Sequence, residues 1–125
     1  MKQLIIVFLG GGIGTVFRYL ITKLIPYGGN GFPWSTFSTN IIGCFMIGML
    51  SSYFLRTLSN DQSDLVLFAT IGLCGGFTTF STYSYENLNL LKSGDHFTFL
   101  VYTLITVIFG IITVYLGMII HKYFY

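Results

Sequence analysis

The chain has 125 residues, of which 54% are hydrophobic and 8% are charged, and its formal net charge is +2. With a mean hydropathy of +0.77, it has too little polar surface for a soluble domain. The composition therefore predicts an all-α protein embedded in a lipid bilayer.

Four segments are apolar enough to cross a bilayer as helices, which takes about 20 residues each. They cover residues 4–25, 37–55, 65–91 and 97–120. The links between them are short and contain glycine, proline or charged residues, which are typical of loops. No small-residue cleavage site follows the first segment, so we expect it to be a retained span rather than a signal peptide. The sequence thus predicts one domain with four spans.

Basic residues near span ends set the orientation of a membrane protein, and here they are nearly balanced. The side with both termini would carry Lys2, Arg56 and Lys122, and the other side Lys23 and Lys92. Either the chain inserts in both orientations and pairs antiparallel, or it has one orientation that this count does not resolve. Size favours a homodimer, because four helices hardly enclose a route for a solute whereas eight can.

The first span contains Arg18 and a run of glycines. Arg18 is either an anchor whose charge reaches the membrane surface or a cation that draws anions into a vestibule. The glycine run fits neither a phosphate-binding loop nor the dinucleotide-binding spacing, so we expect no nucleotide chemistry and no nucleic acid partner. Gly10 and Gly14, with Gly72 and Gly76 of the third span, offer close contact between helices.

The second span carries an amide, Asn40, about one turn inside the membrane. An amide there is costly unless it is paired, and a hydrogen bond between helices explains it as well as a contact with a solute does. Cys44 and Cys74 lie in different spans without further ligands, so we expect both to be packing residues.

The third span is interrupted at its centre, since Thr78 is the midpoint of residues 65–91. The glycines before Thr78 and the hydroxyls of Thr78 and Thr79 disfavour a helix there, which predicts a break within residues 75–79 near the membrane midplane. Backbone groups freed in a membrane must be satisfied by protein, an ion or a water-lined cavity. Freed carbonyls can bind a cation, and the first amides of the next helix can bind an anion.

Two aromatic residues and one carboxylate follow this break. Phe80 and Tyr83 share a helical face, where ring edges of partial positive charge can face a small anion, although such pairs more often serve packing. Glu86 lies toward the end of the span, where we expect it at a vestibule or an interface rather than in a proton relay.

The fourth span places Thr98, Tyr102 and Thr106 on one polar stripe. The stripe indicates a path or an interface, unless the hydroxyls bond back to their own helix. Its groups include no carboxylate or imidazole, and His96 and His121 have no partners at catalytic or metal-ligand spacing. We therefore do not expect an enzyme.

Three motifs in these spans resemble those of the Fluc (CrcB) fluoride channels of microbes, and the resemblance covers essentially the whole chain. Residues 11–19 are similar to the family's Gly-Gly-x-Gly-Ala-x-x-Arg-Tyr, and residues 39–45 to its Val-Asn-x-x-Gly-x-Phe. Residues 72–83 match the longer Gly-Phe-Cys-Gly-Gly-x-Thr-Thr-Phe-Ser-Thr-Phe. The clearest departure is Tyr83, which stands where the family usually has Phe.

The resemblance implies an antiparallel, dual-topology homodimer in the inner (plasma) membrane of the cell, with two fluoride pores and a central structural sodium ion. Carried over by position, the backbone carbonyls of Gly75 and Thr78 would bind the sodium ion. The residues that would line the fluoride route are Asn40, Phe80, Ser81, Tyr83, Tyr102 and Thr106. The implied function is passive export of fluoride, which protects the cell from fluoride toxicity.

Two other classes of protein remain alternatives. A small multidrug exporter also has four spans and dual orientation, but it exchanges protons at a carboxylate within the membrane, and the first span here has none. A non-transporting assembly subunit would use the glycines and the polar stripe as interfaces and would show no ion flux of its own.

Overall fold

The computed structural model describes residues 1–29, 31–57 and 63–124, and every regular element in them is helical. In chain order these are α1 (Lys2–Leu24), α2 (Trp34–Thr57), α3 (Ser63–Val66), a π-helix (Leu67–Cys74), α4 (Gly75–Phe77), α5 (Phe80–Lys92) and α6 (His96–Phe124). Stretches long and apolar enough to cross a membrane are Lys2–Leu24, Trp34–Leu55, Asp64–Lys92 and His96–Ile120. The predicted all-α membrane protein with four spans is confirmed.

The second helix begins three residues before the predicted start of its span. The Pro33 carbonyl accepts a hydrogen bond from the Phe37 amide at 3.0 Å, which closes the first helical turn. The buried positions Ser35 and Thr36 therefore belong to the helix rather than to the preceding loop.

One ion pair ties the start of α1 to the start of the third span. The Lys2 Nζ lies 2.5 Å from the Asp64 Oδ2, and both side chains reach solvent. The contact places these two ends on the same side of the bundle, as four spans require. The side chains of Arg56 and Lys122, which were predicted on that side too, lie outside the described residues.

Glycines allow α1 to approach the third span at backbone distance. A Cβ atom at Gly10 would lie 2.5 Å from the Phe68 carbonyl oxygen, and one at Gly72 would lie 2.9 Å from the Gly10 Cα. Any side chain at these positions would push the two helices apart. The glycine contact predicted from the sequence is thus present between α1 and the π-helix.

A second glycine contact joins α2 to α6. A Cβ atom at Gly117 would lie 2.9 Å from the Met49 amide nitrogen, and one at Gly48 would meet the Val114 carbonyl. The backbones of these two helices are therefore fixed at close range. The element α5 of the third span contacts both of them.

A tight turn makes α5 and α6 an antiparallel pair. Gly94 has φ +80°, and the amides of Gly94 and Asp95 donate to the Leu91 and Leu90 carbonyls at 3.2 and 3.0 Å. This pattern of hydrogen bonds caps α5. The Asp95 Oδ1 then accepts the Thr98 amide at 3.1 Å and caps α6.

The described residues place polar groups inside and apolar groups outside, which suits a bilayer. The exposed large side chains are mostly aliphatic or aromatic and run the length of α1 and α6. Polar residues that are buried include Thr36, Thr39, Thr79, Glu86 and Asn87. Most of these surround one end of α5, so hydrogen bonds rather than apolar packing define the interior there.

Candidate ion-binding site at the interrupted third span

The helical backbone of the third span stops at Phe77 and resumes at Phe80. Thr78 and Thr79 between them are extended, with φ/ψ of −86°/159° and −150°/115°. The Cys74 carbonyl accepts both the amide and the hydroxyl of Thr78, at 3.0 and 2.9 Å, which ends the first half of the span. Thr79 starts the second half, because its Oγ1 accepts the Thr82 amide at 3.2 Å as an N-cap.

The side chain of Asn40 satisfies the backbone of Thr79 on both sides. The Thr79 amide donates to the Asn40 Oδ1 at 2.8 Å, and the Asn40 Nδ2 donates to the Thr79 carbonyl at 3.2 Å. The sequence allowed two explanations of Asn40, a hydrogen bond between helices or a contact with a solute. These two bonds are of the first kind. The amide carries a second N–H, which leaves one donor for a solute.

This arrangement releases several carbonyls from helical hydrogen bonds, among them those of Gly75 and Thr78. In a continuous helix, the Thr79 amide would donate to Gly75 and the Thr82 amide to Thr78. The first donates to Asn40 and the second to the Thr79 hydroxyl instead. Gly75 and Thr78 are the two residues whose carbonyls were predicted to bind a cation.

A groove of about 570 Å³ runs along α2, α6 and both halves of the third span. It brings together most of the predicted site residues, namely Asn40, Gly75, Thr78, Phe80, Tyr83 and Thr106. The described residues that line it include no charged side chain. Both cysteines also line it, and both are free thiols.

Phe80 and Tyr83 form the predicted pair on one face of α5. Their ring centroids lie 5.9 Å apart, and the Phe80 side chain is 79% exposed on the single chain. Tyr83 continues the aromatic contact to Tyr102, at 5.1 Å. Ser81, also predicted in this region, is exposed, and its Oγ lies 3.3 Å from the Thr79 Oγ1 rather than in the groove lining.

The polar stripe of the fourth span is divided among different partners. Thr106 lines the groove, and its Oγ1 is buried without a hydrogen-bond partner among the described residues. A hydroxyl further along the helix, that of Thr113, donates to the Phe109 and Gly110 carbonyls of its own turn. Thr106 is therefore the stripe residue whose hydroxyl lacks a partner among the described residues.

Tyr102 and Glu86 lie in a closed cluster beside the groove. The Tyr102 hydroxyl donates to the Glu86 Oε2, and the Thr36 hydroxyl donates to the Glu86 Oε1, each at 2.8 Å. Tyr102 is fully buried and Glu86 is 6% exposed. Two buried hydroxyls thus satisfy the Glu86 carboxylate within the single chain, and its place at a vestibule or an interface stays a prediction.

Arg18 lies in a second concavity of about 280 Å³ between α1, α2 and α5. The other residues that line this concavity all carry hydroxyls, namely Thr15, Tyr19, Thr22, Thr36, Thr39, Thr79 and Thr82. Thr79 lines both this concavity and the groove, so the start of α5 forms the wall between them. Arg18 is half-exposed. This exposure is compatible both with an anchor at the membrane surface and with a cation in a vestibule.

The sequence did not reveal Thr36, Asn87 or Thr103 as members of the polar interior. Thr36 lies one residue before the predicted second span and was therefore left out. A carboxylate within a membrane, such as Glu86, needs a nearby hydrogen-bond donor, and this requirement was the available signal for Thr36. The Thr103 hydroxyl donates to the Asn87 Oδ1 at 3.0 Å. That pair was missed because Thr103 lies off the stripe of Thr98, Tyr102 and Thr106.

Comparison with known proteins gives one family and close relatives over nearly the whole chain. The family model described as "CrcB-like protein, Camphor Resistance (CrcB)" matches residues 5–118. A protein of Phocaeicola vulgatus named "Fluoride-specific ion channel FluC" is 50% identical over 118 residues, which is 94% of this chain and 96% of the relative. Proteins of the same name from Bacteroides fragilis and Flavobacterium psychrophilum are each 42% identical, covering 94% and 98% of both chains.

Proposed function

Because the chain belongs to the CrcB-like protein family, we propose that it is a fluoride-specific ion channel, not an enzyme, and that it exports fluoride passively from the cytoplasm. The observation that carries this proposal is the uncharged groove beside the break, where Asn40, Phe80, Tyr83 and Thr106 converge. Hydrogen fluoride enters cells as the neutral acid and releases fluoride in the less acidic cytoplasm. A negative membrane potential then drives the anion out, so a selective pore needs no energy source.

Dehydration of fluoride is the main energetic obstacle, because a small anion binds water strongly. The groove supplies several replacements for that water. Asn40 has an N–H beyond the one given to Thr79, and the Thr106 hydroxyl is buried without a partner among the described residues. The edge of the Phe80 ring carries partial positive charge. A narrow path with such donors favours fluoride over the larger chloride.

The first amides of α5 add further donors at the same place. Phe80 and Ser81 follow the N-cap, where the amides of a helix have no partner within it. The partial positive charge at this helix terminus favours an anion, and Arg18 in the adjoining concavity would raise the local anion concentration. Glu86 would hold the Tyr102 ring beside Tyr83 through its hydrogen bond.

A sodium ion fits the carbonyls that the break releases. Hard cations prefer oxygen ligands, and the carbonyls of Gly75 and Thr78 have lost their helical donors to Asn40 and Thr79. One chain offers these two oxygens, so a symmetric partner would complete a set of four. When bound, the ion would neutralise the carbonyls and hold the two interrupted helices together.

The proposed assembly is an antiparallel homodimer in the inner membrane, with the break near the membrane midplane. Gly75 and Phe80 are exposed on the single chain, which supports a partner at this face. A second copy in the opposite orientation would close the open side of the groove. The nearly balanced basic residues of the span ends suit such dual insertion.

The uncharged lining also weighs against a multidrug exporter. Such an exporter binds protons and cationic drugs at a carboxylate in its pathway, whereas the described groove residues include none. The Glu86 carboxylate of the third span accepts hydrogen bonds from two hydroxyls and is outside the groove lining. An assembly subunit is separated from a channel by the flux measurement below.

The proposal is tested by fluoride efflux from liposomes that contain the purified protein, with chloride-loaded liposomes alongside. Rapid release of fluoride with negligible release of chloride is expected. Phe80→Ile should abolish fluoride release without changing the oligomeric state. Phe97→Ile is the matched control, because Phe97 is equally exposed but lies on α6 away from the groove lining. Release of neither ion from well-folded wild-type protein would overturn the proposal.

A further inference from the structure

The rotation of α5 about its own axis is not fixed by helical continuity. Two extended residues, Thr78 and Thr79, separate it from the preceding helix. The orientation of its side chains must therefore come from contacts with neighbouring helices. Glu86 holds α5 through its bonds to Thr36 and Tyr102. Besides these, Asn40 holds the first turn through the backbone of Thr79, and a second polar contact lies two turns further along α5.

This second contact is made by Asn87, which is 8% exposed. The Asn87 Nδ2 donates to the Tyr83 carbonyl at 3.1 Å, and the Asn87 Oδ1 accepts from the Thr103 hydroxyl of α6 at 3.0 Å. The amide is thus attached to its own helix on one side and to α6 on the other. Because an unpaired amide is costly in an apolar interior, this arrangement strongly favours one rotation of α5.

The contact lies next to the aromatic part of the proposed fluoride route. Asn87 is four residues after Tyr83 and therefore on the same face of α5. Thr103 follows Tyr102, whose ring centroid is 5.1 Å from that of Tyr83. A change in this hydrogen bond would thus be transmitted directly to the position of Tyr83.

A small rotation of α5 is enough to matter. Side chains of a helix extend about 5–6 Å from its axis, so a rotation of about 20° moves their ends by about 2 Å. Hydrogen bonds tolerate a spread of only about 0.5 Å in donor–acceptor distance. Tyr83 and Phe80 would both leave their positions in the groove after such a rotation.

We propose that the hydrogen bond between Asn87 and Thr103 is a positioning contact. Together with the Glu86 bonds to Thr36 and Tyr102, it fixes the rotation of α5 and thereby sets fluoride flux and selectivity at Tyr83. Neither Asn87 nor Thr103 lines the groove, so both act through the orientation of α5. The inference rests on the proposed function, because its readout is selective fluoride flux.

The test uses full-length protein in liposomes, with fluoride and chloride efflux measured on variants that keep the wild-type elution volume. Thr103→Val and Asn87→Leu remove the hydrogen bond at nearly constant volume, while Thr103→Ser keeps the hydroxyl. Thr113→Val is the matched control on α6, because among the described residues the Thr113 hydroxyl bonds only to carbonyls of its own turn. If Thr103→Val does not keep the wild-type elution volume, Thr103→Ala takes its place.

We expect Thr103→Val to lower fluoride flux about tenfold or more and to lower the fluoride-to-chloride ratio, since small displacements of positioned groups are costly. The double variant with Asn87→Leu should be no worse than the stronger single variant, because the bond that Thr103→Val removes is already lost in Asn87→Leu. Thr103→Ser and Thr113→Val should match the wild type. A wild-type flux ratio in Thr103→Val, or losses that multiply in the double variant, would overturn this inference alone. A silent wild type would overturn the proposed function, and this inference with it.

Discussion

Asn40→Leu should loosen the break in the third span by removing both hydrogen bonds to Thr79. In membrane proteins a side-chain hydrogen bond contributes about 0.6 kcal/mol on average and about 1.7 kcal/mol at most, which gives about 1–3 kcal/mol for two. Leaving a donor and an acceptor fully unpaired would cost about 2–6 kcal/mol. The lower range sets the expectation, because it was obtained for side-chain hydrogen bonds inside membrane proteins.

The consequence is measurable by hydrogen–deuterium exchange in peptides that cover residues 78–82. A loss of about 1–3 kcal/mol in local stability corresponds to exchange at the Thr79 amide that is about five to 150 times faster. Asn89→Leu is the control, since Asn89 is another amide of the third span and makes no side-chain hydrogen bond among the described residues. Wild-type exchange rates in Asn40→Leu would refute the role of Asn40 in holding the break.

Two further predictions concern stability. Gly10→Ala should lower the free energy of unfolding by about 1–3 kcal/mol through overpacking, and the unfolding midpoint with it, because its Cβ would lie 2.5 Å from the Phe68 carbonyl. Gly12→Ala, whose Cβ meets nothing within 4 Å, should hold or raise the midpoint, and equal losses in both variants would contradict the packing argument. Hydrogen bonds from the Thr98 side chain and amide lower the pKa of the Asp95 carboxyl. A lowered folded-state pKa stabilises the fold above the unfolded pKa and loses that contribution as pH falls through the folded value. The difference in unfolding midpoint between the wild type and Asp95→Asn should therefore stay constant from about pH 7 to about pH 5. It should become smaller below about pH 4. A gap that persists unchanged to low pH would show that the carboxylate charge at Asp95 does not contribute.

Features that depend on local backbone chemistry could be predicted from the sequence. The extended residues Thr78 and Thr79 fall within the predicted interval 75–79, because glycine and threonine lower helix stability wherever they occur. The ring contact of Phe80 and Tyr83 follows from helical spacing alone. The π-helix Leu67–Cys74 has no such local signal, and we expected an ordinary helix there.

Features that depend on tertiary contacts could not be predicted. Asn40 was correctly identified as an amide in need of a partner, but its partner is a backbone segment 39 residues away. The burial of Glu86 depends on Thr36 and Tyr102, which come from two other helices. Sequence spacing shows which side chains share a face of one helix, but it does not show which helix that face meets.

At the break, the side chains of Asn40 and Thr79 accept amides that would otherwise donate to helical carbonyls. As a result, free carbonyls and free amides lie close together. Asn40 takes the Thr79 amide and the Thr79 hydroxyl takes the Thr82 amide, which frees the carbonyls of Gly75 and Thr78. The same interruption begins a new helix at Phe80, whose first amides carry partial positive charge. A continuous helix would offer neither group. In the proposed channel, one local interruption therefore accounts for both a cation site at the centre and an anion route beside it, without any charged residue in the groove.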